Sequence, residues 1–226
     1  MTHRNDSIEP HDSRQAFAPV LRQEILLRIL ELNSDYLELL AIERAGAECA
    51  GQLQFFTPKV QAALAEISFE HRARLAAAPY ALYSLRFEDP RFWQTACDTA
   101  HRRIDERYAA APDGGSLRGL FIEIALMQAW HIASTHPLAA RMIYSMSESV
   151  RERVAALSLW QVKQIVGEHA KIMTPRWPHN PCFWPDLIAF AKASDSVRLA
   201  ATQLLGTQLI AAELAATSRA NRVGRN

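Results

Sequence analysis

The chain has few glycines and cysteines, and each shortage excludes a class of structure. Only 8 glycines occur among 226 residues, and no pair of alternating apolar runs flanks an Asn-Gly or Asp-Gly turn, so hairpin-built β folds are disfavoured. The three cysteines, Cys49, Cys97 and Cys182, are too far apart for a local disulfide framework or a CxxC metal knuckle. A reduced, cytoplasmic chain is the simplest interpretation.

An excess of charge of one sign and long apolar runs are also missing. With 25 basic and 24 acidic residues, the formal net charge is +1, which argues against a generally basic nucleic-acid-binding surface. No apolar run approaches the roughly 18 residues of a membrane span. Residues 1–12 are polar and lack the apolar core of a secretory signal, so we expect a disordered arm there and no membrane association.

Motifs of catalysis are absent as well. The sequence contains no GxSxG, HExxH, Walker or GxGxxG pattern, which favours a non-enzymatic protein without a cofactor. His169, His179 and Cys182 fit no standard zinc spacing, so we expect no metal. A catalytic site assembled in space remains an alternative, and it would appear as a polar pocket between the two halves of the chain, with perturbed pKa values.

What is present is a helical pattern rich in alanine and leucine, with 49% apolar residues. Apolar residues at helical spacing predict a long helix over 17–40 and another over 117–134. The predicted apolar face of the second helix consists of Leu120, Ile124, Met127 and Trp130. Helix caps are predicted at Thr57, Ser68, Ser147, Ser158 and Ser194. The predicted fold class is therefore all-α.

The chain also repeats itself. The segment Leu64–Phe69 corresponds to Val154–Leu159 at an offset of 90 residues, and with Asn180 taken as one inserted residue the motif at 90–93 aligns with that at 181–184. Self-similarity of this kind indicates two copies of one structural unit. We predict two small helical repeats packed as an intramolecular pseudo-dimer, because each amphipathic unit needs a partner to cover its apolar face. The expected organisation is an arm (1–12), a first repeat (13–110), a linker (111–116), a second repeat (117–217) and a frayed basic tail (218–226).

The stretches 29–41 and 64–89 of the first repeat, with Asn33, Tyr36 and Leu37 in the first of them, resemble the FlhD family, the regulatory subunit of the flagellar master transcription activator of Proteobacteria. The stretch 29–41 is similar to the asparagine-x-x-tyrosine-leucine part of that family's first helix, here Asn33, Tyr36 and Leu37. The stretch 64–89 is similar to the family's capped short helix and the phenylalanine-arginine-phenylalanine-aspartate element that follows it. The second copy follows the pattern more loosely.

The resemblance implies an all-helical bacterial regulator that joins a second protein, such as a transcription activator subunit, and contacts DNA only weakly by itself. This chain is about twice the family's usual length and carries the unit twice, so its dimer would lie within one chain, with further oligomers possible. We therefore expect protein–protein interaction in transcription control with at most auxiliary DNA contact. The alternative is a helical adaptor or accessory protein of a secretion or motility system.

Two sets of residues are candidates for these contacts. The partner-binding set combines the aromatic and arginine positions near the end of each repeat: Arg86, Trp93, Arg176, Trp177, Phe183 and Trp184. Tryptophan is frequent in interface hot spots, but large aromatics that anchor a core fit the pattern too, and the arginines suit a structural salt bridge or carbonyl cap as well as a ligand contact. The DNA-contact set is the densest basic stretch, Arg91, Arg102, Arg103 and Arg107, although interleaved acids also favour a solvated, salt-bridged face.

Overall fold

A computed structural model describes residues 23–45, 51–102, 116–169 and 171–223. The predicted arm and all of the predicted linker except Ser116 lie outside these ranges. The last helix continues to Val223, so residues 218–223 of the predicted frayed tail are helical.

The described residues form ten α-helices, one 3₁₀ helix and one two-stranded ladder, which confirms the all-α class. In chain order these are α1 (Gln23–Ala45), the 3₁₀ helix (Gln52–Phe55), α2 (Pro58–Ala65), α3 (Phe69–Ala76), β1 (Tyr83–Ser84), α4 (Pro90–Arg102), α5 (Leu117–Thr135), α6 (Pro137–Tyr144), α7 (Glu148–Ala155), α8 (Leu159–Glu168), β2 (Thr174–Pro175), α9 (Phe183–Lys192) and α10 (Ser196–Val223).

Hydroxyl caps start four of the short helices where the sequence predicts them. In each case the cap hydroxyl accepts a hydrogen bond from the backbone N–H three residues later, which satisfies one of the free donors of the first turn. The four caps are Thr57, Ser68, Ser147 and Ser158. The offset of 90 residues between the two pairs of caps is retained in the structure.

The predicted cap at Ser194 is wrong by one residue. Ser194 has a left-handed backbone, with φ of 57°, and it follows the end of α9. The carboxylate of Asp195 accepts the hydrogen bond from the backbone N–H of Arg198 at 3.0 Å. The acidic side chain therefore caps α10 and also suits the positive end of the helix dipole.

The helices of the two halves exchange partners. In the first half α1 packs on α2 and α3, and in the second half α5 packs on α7 and α8. Helix α4 crosses over to lie on α7 and α8, while α9 crosses in the opposite sense to lie on α2 and α3. The last helix α10 then packs on α9 and α6.

Between these exchanged helices the chain forms the two-stranded antiparallel ladder. Tyr83 lies opposite Pro175, and Ser84 lies opposite Thr174. The ladder was not foreseen in the sequence, because each strand is only two residues long.

Asn33 fixes the approach to this ladder. Its side chain is fully buried, and its amide nitrogen donates to the carbonyl oxygens of Ala76, Ala78 and Tyr80, the last at 2.9 Å. Its Oδ1 accepts from the backbone N–H of Leu82 at 2.9 Å. One side chain thus satisfies the backbone of the non-helical segment between α3 and β1, which explains why an amide is needed at this position.

Candidate partner-binding site

The two tryptophans at the starts of α4 and α9 are core anchors. Trp93 and Trp184 are fully buried. The indole of Trp93 donates to the carbonyl oxygen of Leu85 at 3.2 Å, and that of Trp184 donates to the carbonyl oxygen of Arg176 at 2.6 Å. The core-anchoring interpretation is therefore correct for both.

A second pair of matched hydrogen bonds starts the same two helices. The side-chain oxygen of Asp89 accepts from the backbone N–H of Phe92 at 3.0 Å, and that of Asn180 accepts from Phe183 at 2.9 Å. Like the tryptophan bonds, these bonds correspond at an offset of 91 residues. Asn180 is thus the counterpart of Asp89 and not an inserted residue.

This offset corrects the predicted match between Arg86 and Arg176. Arg86 corresponds to Trp177, and both have a left-handed backbone, with φ of 59° and 48°. The caps Ser68 and Ser158 match at an offset of 90, so the extra residue enters between Ser158 and Arg176.

Arg176 is a buried residue that links the end of α6 to α10. It is 4% exposed, and its guanidinium donates to the carbonyl oxygen of Ile143 at 2.8 Å and to the hydroxyl of Ser145. It also pairs with Glu213 of α10 at 3.1 Å, and the indole of Trp177 donates to the other oxygen of the same carboxylate at 2.6 Å. Burial lowers the pKa of Arg176, and the nearby Glu213 opposes that effect.

These positions correct four of the six predicted partner contacts. A side chain that is at most 4% exposed offers almost no surface to a partner while the fold is intact. This applies to Trp93, Arg176, Phe183 and Trp184. The structural interpretation of Arg176, a salt bridge combined with a carbonyl cap, is the one that its contacts support.

Arg86 and Trp177 remain at the surface. The Arg86 side chain is 45% exposed and pairs with Asp89 at 2.6 Å, while its guanidinium lies 4.3 Å from the centre of the Phe92 ring. Trp177 is half-buried against Phe183, with ring centres 4.7 Å apart. A partner contact by either residue stays a prediction.

The predicted DNA-contact set is only partly described. Arg91 is exposed in the first turn of α4, and Arg102 is the last residue of that helix. Arg103 and Arg107 lie outside the described residues. DNA contact by this stretch stays a prediction.

Most of the apolar face of α5 that the sequence predicts to be buried is exposed to solvent. The buried face of α5 consists of Phe121, Ile122, Ala125, Leu126, Ala129, Ile132 and Ala133. The opposite face, which we call the α5 stripe, consists of Leu117, Leu120, Ile124 and Met127, all between 36% and 57% exposed. Trp130 of the predicted face packs against the core, but the prediction was wrong for Leu120, Ile124 and Met127, because apolar residues lie on both faces of α5 and periodicity cannot choose between them.

Two clefts lie outside this stripe. The first, of about 350 Å³, lies between α4 and α7 and is lined by Cys97, Asp98 and Arg153. Burial raises the pKa of the Cys97 thiol to about 11, so it is protonated at neutral pH and a poor nucleophile. The second, of about 230 Å³, lies between α1, α2 and α3 and has Arg44 and Arg72 on its rim; we call it the Arg72 cleft.

Among the described residues, no group of three or more His, Cys, Asp or Glu side chains is placed to hold a metal ion. His169 packs its ring edge-on against Phe92, with centres 5.0 Å apart, and burial lowers its pKa. Cys182 is an exposed free thiol.

The described chain contains one helix, over Ser196–Arg219 within α10, that is long and apolar enough to cross a membrane, with a mean hydropathy of 1.2. In the structure this helix is tied to the protein by the Arg176–Glu213 pair and by the Tyr80 hydroxyl, which donates to the carbonyl oxygen of Gln203 at 3.0 Å.

Comparisons with protein families, with curated proteins and with solved structures find no match for this chain. Its function must therefore be argued from its own residues.

Proposed function

We propose that this protein is a non-enzymatic bacterial regulatory protein that binds another protein through the α5 stripe. The observation that carries the proposal is the exposure of four large apolar side chains in a row on one helix face. A contiguous exposed apolar patch on a soluble protein marks an interaction surface.

The spacing of the stripe suggests the form of the partner. Its residues follow one another at intervals of three, four and three positions, which is the seam that an α-helix presents to a second helix. An amphipathic helix of the partner, laid along α5, would cover it in the helix-in-groove mode of recognition.

We also propose that the fold is the tandem pseudo-dimer that the repeat predicts. The reciprocal packing of α4 and α9 supports it, as do the matched caps and the matched tryptophan bonds. The antiparallel pairing of a strand from each repeat is compatible with a twofold relation between the repeats.

Leu27 and Leu30, the counterparts of Leu117 and Leu120, are exposed as well, but two other positions differ in a way that favours the second repeat as the binding half. Ile124, 48% exposed, occupies the position that corresponds to Ser34, and Trp160, 45% exposed, corresponds to Glu70. Helix α8, which carries Trp160, lies beside α5, since Lys163 pairs with Glu123 at 3.2 Å. A fused dimer can specialise one half in this way, whereas identical subunits cannot.

The resemblance to the FlhD family favours a partner in transcription control, with at most auxiliary DNA contact through Arg91 and the basic stretch after it. The alternative partner is a component of a secretion or motility system, for which the protein would act as an adaptor. The regulator and the adaptor would use the same α5 stripe and would differ only in the protein that binds to it.

A pull-down from native cells separates these cases. The test protein carries Leu120→Glu and Ile124→Glu, and the matched control carries Leu204→Glu, which places the same charge at a residue of α10 that is 59% exposed. We expect the wild type and the control to retain a transcription factor or polymerase subunit that the double variant loses.

Nuclease treatment adds the second readout. A regulator's complex releases operator DNA on digestion, and an adaptor's complex contains none. Equal retention of the partner by wild type, control and double variant would contradict the assignment of the α5 stripe. Recovery of an envelope or motility assembly would replace the regulator with the adaptor.

A further inference from the structure

The Arg72 cleft has a filled counterpart in the same chain. Its lining residues Leu40 and Ile67 correspond, at the offset of 90, to Trp130 and Leu157. The indole of Trp130 donates to the carbonyl oxygen of Leu157 at 2.8 Å and packs against the core where α5, α7 and α8 meet. In the first half the smaller Leu40 leaves about 230 Å³ open between α1, α2 and α3.

The open copy carries charge that the filled copy lacks. Arg44 and Arg72 line the cleft, and their counterparts are Ser134 and Val162. The pocket with room for a ligand is thus the one with two guanidinium groups on its rim.

Arg72 has an unused donor. Its Nη1 pairs with Glu38, which neutralises that carboxylate. Its Nε is buried and has no hydrogen-bond partner. A buried N–H without an acceptor costs about 1–3 kcal/mol, and a shift of the Arg72 side chain toward an acceptor in the cleft would relieve that cost.

We infer that the Arg72 cleft binds a small hydrophobic carboxylate, with its apolar body in the place that Trp130 fills in the other repeat and its carboxylate on the guanidinium of Arg72. A carboxylate can take two parallel hydrogen bonds from one edge of an arginine, and Arg44 adds a second positive charge. The volume is below the roughly 300–1,000 Å³ of pockets for drug-sized ligands, so the ligand is small. The inference depends on the repeat correspondence proposed above, but not on the α5 stripe.

Calorimetric titration of the full chain with indole-3-acetate tests it, with indole and acetate as separate controls. We expect indole-3-acetate to bind at least tenfold more tightly than either control. Arg72→Lys keeps the charge but removes the Nε donor, so it should weaken binding several-fold, whereas Arg28→Gln, at an exposed residue of α1 paired with Glu31, should leave it unchanged.

Leu40→Trp copies the second repeat and is the sharpest variant. The new indole should fill the cleft, abolish binding of indole-3-acetate and leave the melting temperature equal or higher. Should Leu40→Trp fail to fold, Arg72→Lys and Arg44→Gln decide by themselves.

Absence of binding at millimolar indole-3-acetate, or binding that survives Leu40→Trp and Arg72→Lys, overturns the inference. Binding only of an acidic, tryptophan-containing peptide also overturns it, and would assign the cleft to a protein partner. The Leu120→Glu, Ile124→Glu protein should bind indole-3-acetate normally, so failure here and failure of the proposed function are distinguishable.

Discussion

Ser84 and Thr174 face each other across the antiparallel ladder, and the sequence repeat aligns them at its offset of 90 residues. Tyr83 pairs with Pro175, one step to either side of the same point. In a symmetric dimer a residue can lie opposite its own copy only where the twofold axis passes. This pairing is compatible with a twofold relation, and the proposal of a fused dimer depends chiefly on the matched caps and the matched tryptophan bonds.

Replacing Trp184 with Ala should destabilise the fold. The indole is fully buried, and removing a buried tryptophan side chain costs about 3–5 kcal/mol. Urea unfolding measures the change, with Trp160→Ala as the control, which should stay within about 0.5 kcal/mol since that residue is 45% exposed. A Trp184→Ala protein of wild-type stability would contradict the core-anchor assignment.

Removing the carboxylate of Glu213 should loosen α10. Arg176 would lose its counter-charge in a buried site, and leaving a buried charge unpaired costs roughly 3 kcal/mol. Hydrogen exchange of Glu213→Ala should show faster exchange in α10. Glu66→Ala is the control, because its carboxylate, 69% exposed in the pair with Lys192, is screened by solvent. Equal protection of α10 in both variants would contradict the role of the Arg176–Glu213 pair in holding α10.

Asp89→Asn should remove one source of acid sensitivity. The backbone N–H of Phe92 holds the pKa of Asp89 below its ordinary value, with a smaller effect of Arg86. The folded pKa is the lower one, so the stabilisation is present above the unfolded pKa of about 3.9 and is lost as the pH falls through the folded pKa.

Asparagine already performs the same cap at Asn180, so Asp89→Asn should match the wild type within about 1 kcal/mol at neutral pH. Below about pH 4 the stability of the wild type should fall more steeply than that of the variant. Asp89→Ala, which loses the cap, should cost about 0.5–2 kcal/mol at neutral pH. Parallel pH profiles for wild type and Asp89→Asn would rule out this role.

Gly206→Ala should destabilise α10 even though alanine favours helices by about 1 kcal/mol over glycine. A Cβ at Gly206 would lie 2.0 Å from the hydroxyl oxygen of Tyr80, whose side chain is buried and cannot move aside freely. Overpacking of this kind costs about 1–3 kcal/mol. Gly119→Ala is the comparison, since its nearest atom is the hydroxyl of the exposed Ser116 at 3.2 Å. Thermal unfolding measures the stability of both variants. A Gly206→Ala protein more stable than the wild type would show that the Tyr80 side chain can move aside.

Local chemistry made part of this fold predictable. The caps at Thr57, Ser68, Ser147 and Ser158 depend on residues three positions apart, so the sequence determines them directly. The all-α class follows from composition and periodicity in the same way.

Features that depend on distant contacts were not predictable. The outward side of α5 could not be recognised because apolar residues lie on both its buried and its exposed faces. The burial of Arg176 depends on a carboxylate that follows it in the chain by 37 residues. The spare donor of Arg72 appears only when α1 and α3 are brought together, because Glu38 then occupies Nη1 and leaves Nε without an acceptor.

Site-specific photo-crosslinking in native cells tests the central claim most directly. A photoreactive residue is placed at Ile124, in the α5 stripe, and at Val197, which is 78% exposed on α10, as the control. We predict a crosslink from position 124, absent at position 197, to a protein of the transcription machinery. No specific crosslink at 124, or the same products at both positions, would contradict the account.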